Sequence, residues 1–258
     1  MKKKYLLLAF LMLAMFSAFA GIYTPQSVPN PKNWGQDYYV SNPDGILSQA
    51  AVDSLNNLAW SLEREAGVEM AIVVLGSFRM NEDEEPNQCE LFEFNLELFE
   101  YWGIGDAETN RGLLITVSYD DHNMYISTGT SLDADLPDAT CDYIMRAFMF
   151  PRFKEGDYDK GVIDGVVAIY GYLTDDGVKS TIDEAAENPE ESDPAKVFLG
   201  IAAIVGIIYL RRKLRGYGGG GGGGYSSGRS WSGGHSSSHS SGSWGGGHTS
   251  GGGAGGRW

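Results

Sequence analysis

The feature that most constrains the fold is a pair of short apolar runs joined by a polar loop. The runs are Gly112–Ser118 and Asn123–Thr128, and the sequence Tyr-Asp-Asp-His at 119–122 connects them. Apolar runs of this length predict β-strands, and the short connection suits an antiparallel hairpin. Acidic loops lie on both sides of the pair, and loops at the ends of buried strands are where binding groups usually lie.

Strands and amphipathic helices alternate through the rest of residues 38–173. The continuous apolar run Val68–Leu75 predicts a strand that is buried on both faces and central in the sheet. Apolar residues at helical spacing predict helices over 49–66, 88–102, 138–150 and 158–173, with a break at 151–156. We therefore expect an α/β fold, a three-layer sandwich whose small mixed sheet carries helices on both faces.

The first 20 residues are typical of a secretory signal peptide. A basic start at 2–4 precedes an apolar run, and Ala18 and Ala20 form an A-x-A pattern at the end of that run. The alternative is an anchor helix that is not cleaved. Residues 21–37 contain three prolines, and we expect them to form an extended lead-in to the domain at 38–173.

A second apolar run, Val197–Leu210, is predicted to cross a membrane once. As a helix it spans about 21 Å, less than the roughly 30 Å of a hydrocarbon core. However, Lys196 and Arg211 can reach the interfaces, and we expect no neighbouring fold to bury the run. The basic residues after it place the C-terminal side in the cytoplasm and the α/β domain outside the cytoplasmic membrane. The expected order is an acidic linker at 174–194, the transmembrane helix at 195–211, and a basic, then Gly/Ser-rich, disordered tail at 212–258.

The predicted exported part is strongly acidic. All 34 Asp and Glu residues lie between positions 21 and 195, together with fewer than half of the 19 Lys and Arg residues. A charge of this sign makes nucleic acid an unsuitable partner and cations suitable ones. An ordinary soluble surface rich in carboxylates also explains most of the excess.

Three acidic loops contain candidate metal ligands. Beside Asp44, the loops at 106–110 and 133–138 carry side chains with carboxylate or amide oxygens. Calcium takes about six to eight oxygen ligands, and clustered like charges repel one another unless a cation neutralises them. The sequence therefore predicts a site for calcium, or for magnesium, with these ligands: Asp44, Asp106, Asn110, Asp133 and Asp138.

Other interpretations stay open for single residues. Asp44 also fits a turn, Asp138 fits a charge at a helix N-terminus, and Asp120 and Asp121 fit a solvated hairpin tip. An EF-hand beginning at Asp106 is excluded, because position 117 is Val where a bidentate Glu is required.

The sequence has no recognisable nucleophile motif. It lacks G-x-S-x-G, a P-loop and H-E-x-x-H, and His122 is the only histidine before the tail. These absences leave the question of an enzymatic activity open. Cys89 and Cys141 fit either one disulfide or two buried free thiols.

Six short motifs follow one another through the predicted domain. They are VSNPDGILS at 40–48, WGIG at 102–105, NRGLL at 110–114, ISTG at 126–129, LPDA at 136–139 and PRFKEGDY at 151–158. Their order and spacing over residues 38–173 resemble the TPM-domain family, which is related to the thylakoid acid phosphatase and photosystem-repair proteins.

The resemblance implies an α/β sandwich in which loop carboxylates hold divalent cations, often calcium, and an acid phosphatase activity claimed for some members. A transmembrane run with a Gly/Ser tail that ends in Trp is also typical of the family. Two departures lie beside the expected site. Gly-Thr-Ser-Leu-Asp-Ala at 129–134 stands in place of a usual Gly-Tyr-Gly-Leu-Glu-Gly, and His122 stands where Arg is common.

Three functions are compatible with the sequence. We favour an exported, membrane-anchored, calcium-binding module that assists the assembly or maintenance of membrane protein complexes. The second is a metal-dependent phosphatase with Asp44, Asp106 and Asp138 as ligands and Arg111 holding the phosphate, although the negative charge argues against it. The third is an interaction scaffold that acts through the Gly-rich tail.

Overall fold

The computed structural model describes residues 21–86, 89–189, 192–216 and 242–258, without the side chains of 208–216. A 3-10 helix at Pro31–Trp34 and a π-helical turn at Met145–Met149 accompany the regular elements. The strands are β1 Ile22–Tyr23, β2 Val40–Ser41, β3 Glu69–Leu75, β4 Ser77–Phe78, β5 Gly112–Ser118, β6 Asn123–Thr128 and β7 Gly252–Arg257. The helices are α1 Gln49–Ala66, α2 Leu91–Trp102, α3 Asp138–Ile144, α4 Phe150–Lys154, α5 Tyr158–Thr174, α6 Asp176–Glu187 and α7 Pro194–Gly216.

Five of the strands form one mixed sheet in the order β2-β3-β5-β6-β7. β2, β3 and β5 run parallel, whereas β6 is antiparallel to both β5 and β7. The predicted hairpin is confirmed with its predicted bounds. β3 lies between β2 and β5, and every one of its residues is buried, as a continuous apolar run predicts. β1 and β4 form a separate parallel pair.

Helices cover both faces of this sheet, which confirms the mixed α/β sandwich. On one face, Asn95 of α2 donates a hydrogen bond to Ser127 Oγ of β6 at 3.0 Å. Ser127 and its neighbour Ile126 point to opposite faces because successive side chains alternate along a strand. On the Ile126 face, the ring of Phe150 in α4 lies against Gly256, the β7 residue paired with Met124. The packed helices α1 and α5 belong to that layer.

The two helices that precede β3 and β5 end as the sequence predicts. Ser48 caps α1 by accepting a hydrogen bond from Ala51 N, and Gly67 follows α1 with a left-handed φ of 62°. Gly103 ends α2 with a φ of 66°. Residues other than Gly rarely adopt this conformation, so both helices stop at their glycines.

The helix predicted over 138–150 is longer than expected. α3, the π-helical turn and α4 follow one another without a gap to Lys154. Pro151 lies in the first turn of α4, where its missing N–H costs little. The expected break therefore begins at Glu155 and ends with Gly156, whose φ is 79°.

The prediction that residues 174–194 are a linker is wrong, because they contain α6. Asp175 accepts hydrogen bonds from Gly177 N and Val178 N and so caps this helix. Val178, Ile182 and Ala185 are buried. Three apolar residues at helical spacing are enough to bury one side of a helix. The acidic residues between them made this spacing hard to recognise in the sequence.

Among the described residues, no helix combines the length and the apolar character needed to cross a membrane. The premise that no part of the fold could bury residues 197–210 is wrong. Ile201 and Val205 of α7 are buried, and a Cβ at Gly171 of α5 would lie 3.0 Å from Val205 Cγ2. The Phe198 ring also packs on Phe148 at 5.4 Å.

The prediction of a disordered tail is also wrong for residues 242–258, which we call the C-terminal segment. This segment adds β7 to the sheet. The rest of the predicted Gly-rich region, residues 217–241, lies outside the described residues. Cys89 and Cys141 both carry free thiols, so the alternative with two unpaired cysteines is the one found.

The packing of α7 can be tested with two aliphatic residues of the same helix. Ile201 is fully buried, whereas Leu199 is 72% exposed. We expect Ile201→Ala to lower the free energy of unfolding by about 2–4 kcal/mol, because it leaves a cavity, and Leu199→Ala to change it by less than about 0.5 kcal/mol. Urea unfolding of the purified chain measures both. Equal effects of the two substitutions would contradict this packing.

Candidate functional site

The sheet divides the predicted metal ligands between its two ends. Asp44 lies where β3 ends, because its Oδ2 accepts a hydrogen bond from Gly76 N at 2.8 Å. Asp106 and Asn110 precede β5, and Asp133 follows β6. The start of β5 and the end of β6 are paired, so these three residues belong to the opposite end of the sheet. A seven-residue strand separates the two ends, a distance of about 20 Å.

At that opposite end, most of the predicted ligands already have partners within the protein. Asp106 Oδ1 accepts hydrogen bonds from Glu108 N at 3.0 Å and from Thr109 N at 2.9 Å. These two bonds are the main reason that the pKa of Asp106 is lowered. Arg111 Nη1 forms an ion pair with Asp135 Oδ2 at 2.5 Å. Within the described part of the chain, no group of three or more His, Cys, Asp or Glu side chains is arranged to hold a metal ion.

The C-terminal segment crosses this end of the sheet and then runs along β6 to the other end, where Trp258 N donates a hydrogen bond to His122 O. The surface that it covers, which we call the tail groove, consists of the outer edge of β6 and side chains from several other elements. These side chains are Asn30, Lys32, Gln36, Tyr39, Glu69, Glu100, Trp102, Asn110, Asp133, Asp138, Phe150 and Phe153.

Trp244 anchors the beginning of the segment. Its side chain is 7% exposed and stacks on Trp102, with ring centroids 5.7 Å apart and planes inclined by 9°. The indole Nε1–H donates a hydrogen bond to Asn30 Oδ1 at 3.0 Å. A stacked and hydrogen-bonded indole combines a large apolar contact with a directional one.

A buried pair of charges lies beneath Trp244. Lys32 is completely buried, its Nζ lying 4.5 Å from the Trp244 ring centroid, 3.7 Å from that of Tyr39 and 3.8 Å from Glu69 Oε1. Lys32 Nζ also donates a hydrogen bond to Gln36 O at 2.6 Å. Burial lowers the pKa of Lys32 and raises that of Glu69, and in both cases it outweighs the attraction between the two charges.

Glu69 joins the domain to the C-terminal segment. Its Oε2 accepts hydrogen bonds from Gly105 N at 2.8 Å and from Gly245 N at 3.0 Å. Beside it, Gly246 N donates to Gly103 O at 2.8 Å and Gly247 N donates to Gly105 O at 2.5 Å. A Cβ at Gly245 would lie 2.8 Å from Gly105 O, and one at Gly247 would lie 2.6 Å from Ile104 O. The backbones approach this closely because neither position has a side chain.

The middle of the segment binds polar groups of the groove. His248 N donates a hydrogen bond to Asn110 Oδ1 at 3.0 Å, and His248 Nδ1 lies 2.8 Å from Glu100 Oε2. Ser250 Oγ donates to Asp133 Oδ2 at 2.9 Å. Two of the predicted metal ligands, Asn110 and Asp133, therefore hold the chain's own C-terminal segment in this structure.

The end of the segment adds a strand and an aromatic anchor. β7 pairs with all of β6, from Thr128 opposite Gly252 to Asn123 opposite Arg257, and Gly253 N donates a hydrogen bond to Asp138 Oδ1 at 2.7 Å. The Trp258 ring lies 4.7 Å from Phe153, 5.6 Å from His122, 6.0 Å from Phe150 and 6.1 Å from Tyr158, measured between centroids.

This arrangement has the chemistry of a peptide-binding site. A sheet edge, carboxylate acceptors for N–H and O–H groups, and two aromatic pockets recognise an extended backbone. The sequence predicts the acidic loop residues at this site and a tail that binds a partner, but not the roles of Asn30 and Glu69 or the contact of Trp244 and Trp258 with the chain's own domain. The signal that could have found the segment is a Trp at each end of a glycine-rich stretch, at 244 and 258.

The raised pKa of Glu69 predicts a dependence of stability on pH. Because its pKa lies above the ordinary value of 4.5, the folded protein holds this proton more tightly than the unfolded chain does. That contribution is fully present below pH 4.5 and is lost as the pH rises through the folded-state pKa. We therefore expect the parent chain to lose unfolding free energy relative to Glu69→Gln as the pH rises from 4.5.

Urea unfolding of both proteins between about pH 4 and pH 7 measures this difference. Glu82→Gln is the control for the loss of an exposed carboxyl, since Glu82 lies at the surface, where it pairs with Arg79, and the pH dependence of Glu69→Gln is compared with that of this variant. A parent chain whose unfolding free energy rises relative to that of Glu69→Gln as the pH increases would contradict the prediction.

Comparison with known proteins identifies the fold and the family. The family model described as TPM domain matches residues 40–172. The N-terminal domain of a protein from P. gingivalis, solved by NMR, is 30% identical, with a TM-score of 0.53 over 62% of this chain and 96% of that one. An NMR structure from Bizionia argentinensis is 17% identical, with a TM-score of 0.41 over 49% of this chain and 81% of that one. No curated protein matches the chain. With more than half of its length matched by the family model, the chain belongs to the TPM-domain family.

Proposed function

We propose that this TPM domain is a binding module for extended, glycine-rich peptide segments with Trp anchors, and that residues 242–258 are its resident ligand. The observation that carries the proposal is the continuous set of contacts from Trp244 to Trp258 along the tail groove. In this role the protein is a non-enzymatic accessory factor that holds segments of membrane protein complexes during their assembly or maintenance.

Strand addition supplies the affinity that does not depend on side chains. Without β7, the outer edge of β6 would present unpaired N–H and C=O groups, which is an open template for another strand. β7 pairs with β6 over its whole length, although it consists of Gly, Ala and Arg. Such a sequence has little strand propensity of its own, so the edge of β6 imposes the strand conformation on it.

Steric exclusion supplies the selectivity for glycine. Gly245 and Gly247 pass within 2.8 Å and 2.6 Å of domain carbonyl oxygens, measured from the Cβ that a larger residue would carry. Gly253 has a φ of +123° and would place a Cβ against Ile126 O. A segment with larger residues at these three places would have to move away from the groove and lose its backbone hydrogen bonds.

The aromatic pockets fix the register of the ligand. Trp244 and Trp258 occupy separate pockets at the two ends of the groove, so a ligand must present two indoles at a set distance. Trp244 is buried and Trp258 is half-buried, and aromatic anchors in such pockets usually carry most of the binding free energy of an interface.

The proposal predicts that the isolated segment binds the emptied groove. In a chain that ends at residue 241, a synthetic peptide of residues 242–258 should bind with a dissociation constant on the order of micromolar, because ordering a flexible peptide offsets part of its contacts. Trp244→Ala in the peptide should weaken binding about tenfold to a hundredfold. Quenching or shift of the fluorescence of Trp102 and the peptide tryptophans measures the binding.

Two matched peptides test the register and the steric argument. A peptide with Ser243 and Trp244 exchanged has the same composition and should bind as weakly as the Trp244→Ala peptide. Gly247→Ala should also weaken binding, whereas Ala254→Gly, at a position that tolerates a side chain, should change it little. Equal binding by all of these peptides would contradict a specific groove.

The position of the segment also bears on membrane topology. In a chain whose residues 197–210 cross a membrane, the segment and its own domain lie on opposite sides, and the groove then takes a segment from another chain. Contact within one chain requires the segment and the domain to lie on the same side of the membrane. Labelling of single cysteines at 242 and 120 in whole cells distinguishes the two arrangements. Three features stay predictions: the signal peptide, the single span and the placement outside the cytoplasmic membrane.

Calcium binding stays a prediction, and the structure favours one version of it. Asp133 and Asp138 accept hydrogen bonds from Ser250 Oγ and Gly253 N of the segment, and Asn110 accepts one from His248 N. We propose that a divalent cation binds these oxygens when the segment leaves, so that cation and segment compete. Asp44 lies at the other end of the sheet and has no part in this version.

Competition gives a direct test by calorimetric calcium titration. We expect the chain that ends at 241 to bind calcium, the full chain to bind it at least about tenfold more weakly, and Asp138→Ala in the shorter chain to weaken binding. Asp120→Ala is the control, because Asp120 lies at the exposed hairpin tip. Equal affinities of the full and shortened chains would contradict competition.

The phosphatase alternative receives less support from the geometry. Arg111, its proposed phosphate ligand, is paired with Asp135 and lines an open cleft of about 500 Å³ together with Glu63, Glu69 and Asp106. Carboxylates at these positions repel a phosphate ester unless a cation dominates locally. The activity therefore stays a prediction.

A further inference from the structure

Asp44 has a set of partners that the tail groove does not explain. Its Oδ1 accepts hydrogen bonds from Gly21 N at 2.6 Å and from the Tyr23 hydroxyl at 3.1 Å, and its Oδ2 accepts one from Gly76 N at 2.8 Å. The Asp44 side chain is half-buried at the end of the sheet opposite the acidic loops. Burial and the bond to Asp44 raise the pKa of Tyr23 to about 12, so its hydroxyl is a neutral donor.

The nitrogen of Gly21 is held at this carboxylate by the backbone around it. Gly21 O accepts a hydrogen bond from Ser77 N at 3.0 Å, and Tyr23 O accepts one from Arg79 N at 2.9 Å, which fixes β1 against β4. The Tyr23 hydroxyl oxygen lies 2.5 Å from the place of a Cβ at residue 21. The absence of a side chain at Gly21 therefore lets the phenol and the nitrogen reach the same oxygen.

Gly21 is also the residue that directly follows the A-x-A pattern at 18–20. Hydrolysis of the Ala20–Gly21 peptide bond by a signal peptidase adds one water, leaves a carboxylate on Ala20 and leaves an amine on Gly21. The free α-amino group has a pKa of about 8 and is mostly protonated at neutral pH. Cleavage thus changes the donor to Asp44 from a neutral amide into a cation.

We propose that Asp44 is the binding site for the mature N-terminus of this protein, formed by the α-ammonium group of Gly21 once the signal peptide is removed. Hydrogen bonds between ionised groups are about twice as strong as those between neutral ones. Another carboxylate at this end of the sheet, Asp121, accepts hydrogen bonds from Ser77 Oγ and Ser118 Oγ. Asp44 is the carboxylate that accepts the hydrogen bond from Gly21 N, and β1 is therefore held on the domain most firmly after cleavage.

Removal of the signal peptide then changes the stability of the exported domain. The precursor, with an amide at Gly21, has a weaker contact at Asp44 than the mature chain. The domain reaches its full stability only after the signal peptidase has acted. The hydrogen bonds from Gly21 N, the Tyr23 hydroxyl and Gly76 N account for a carboxylate at position 44 without a metal ion.

The test compares the melting temperatures of chains with different N-termini. Residues 21–258 should melt about 3–6 °C higher than residues 19–258, because the ion pair is replaced by a neutral bond in the longer chain. In an Asp44→Asn background this difference should disappear. Equal melting temperatures in the parent background, or a difference that persists in Asp44→Asn, would overturn the proposal.

Two further measurements cover the case in which Asp44→Asn fails to fold. Acetylation of Gly21 in the 21–258 chain removes the charge and leaves Asp44 in place, so the melting temperature should fall to that of the 19–258 chain. An unchanged melting temperature would show a merely structural role for Asp44 and overturn the proposal. The mass of the exported protein should correspond to a chain that begins at Gly21, and any other N-terminus would also overturn it.

Discussion

β6 is antiparallel to β5, whereas β2, β3 and β5 are parallel. This reversal of direction determines where the C-terminal segment lies. The hairpin brings the loop before β5 and the loop after β6 to the same end of the sheet, so Asn110 and Asp133 face one segment. It also makes β6 the outer strand of the sheet that the domain builds by itself. An outer strand with unpaired backbone groups needs a cover, and β7 supplies it from the far end of the chain.

Beneath the first anchor of the segment, two opposite charges are buried at a considerable cost. Lys32 and Glu69 are 0% and 7% exposed, and burial of an ion pair is tolerated only where further hydrogen bonds satisfy both groups. Part of that satisfaction comes from the segment itself, through Gly245 N on Glu69 and the Trp244 ring near Lys32. Removal of the segment would expose a charged pair as well as an aromatic surface. The segment therefore helps to satisfy these buried charges while it occupies the groove.

The parts of this fold that the sequence predicted are those whose cause is local. The bounds of β5 and β6, the central position of β3 and the ends of α1 and α2 follow from apolar runs and from Gly67 and Gly103. The parts that it missed depend on a distant partner. β7 has no apolar pattern, because its strand conformation comes from the edge of β6. The contacts of α7 with Gly171 and the helices around it were missed as well, because an apolar run does not show which part of a fold packs on it. The acidic loops were found by composition, but their partners at 248–253 lie more than 100 residues away.

Glycine and carboxylate occur together in this protein for a physical reason. Between Trp244 and Trp258 the segment is rich in glycine and has few apolar side chains to bury. Its backbone N–H groups must therefore contribute to its binding there, and an ionised carboxylate is the strongest acceptor available to them. Asp44 takes Gly21 N, Glu69 takes Gly245 N and Asp138 takes Gly253 N. Each of these three carboxylates fixes a glycine that belongs to the first or the last described stretch of the chain. Asp44 and Asp138, which the sequence predicts as metal ligands, thus hold backbone N–H groups of the chain itself.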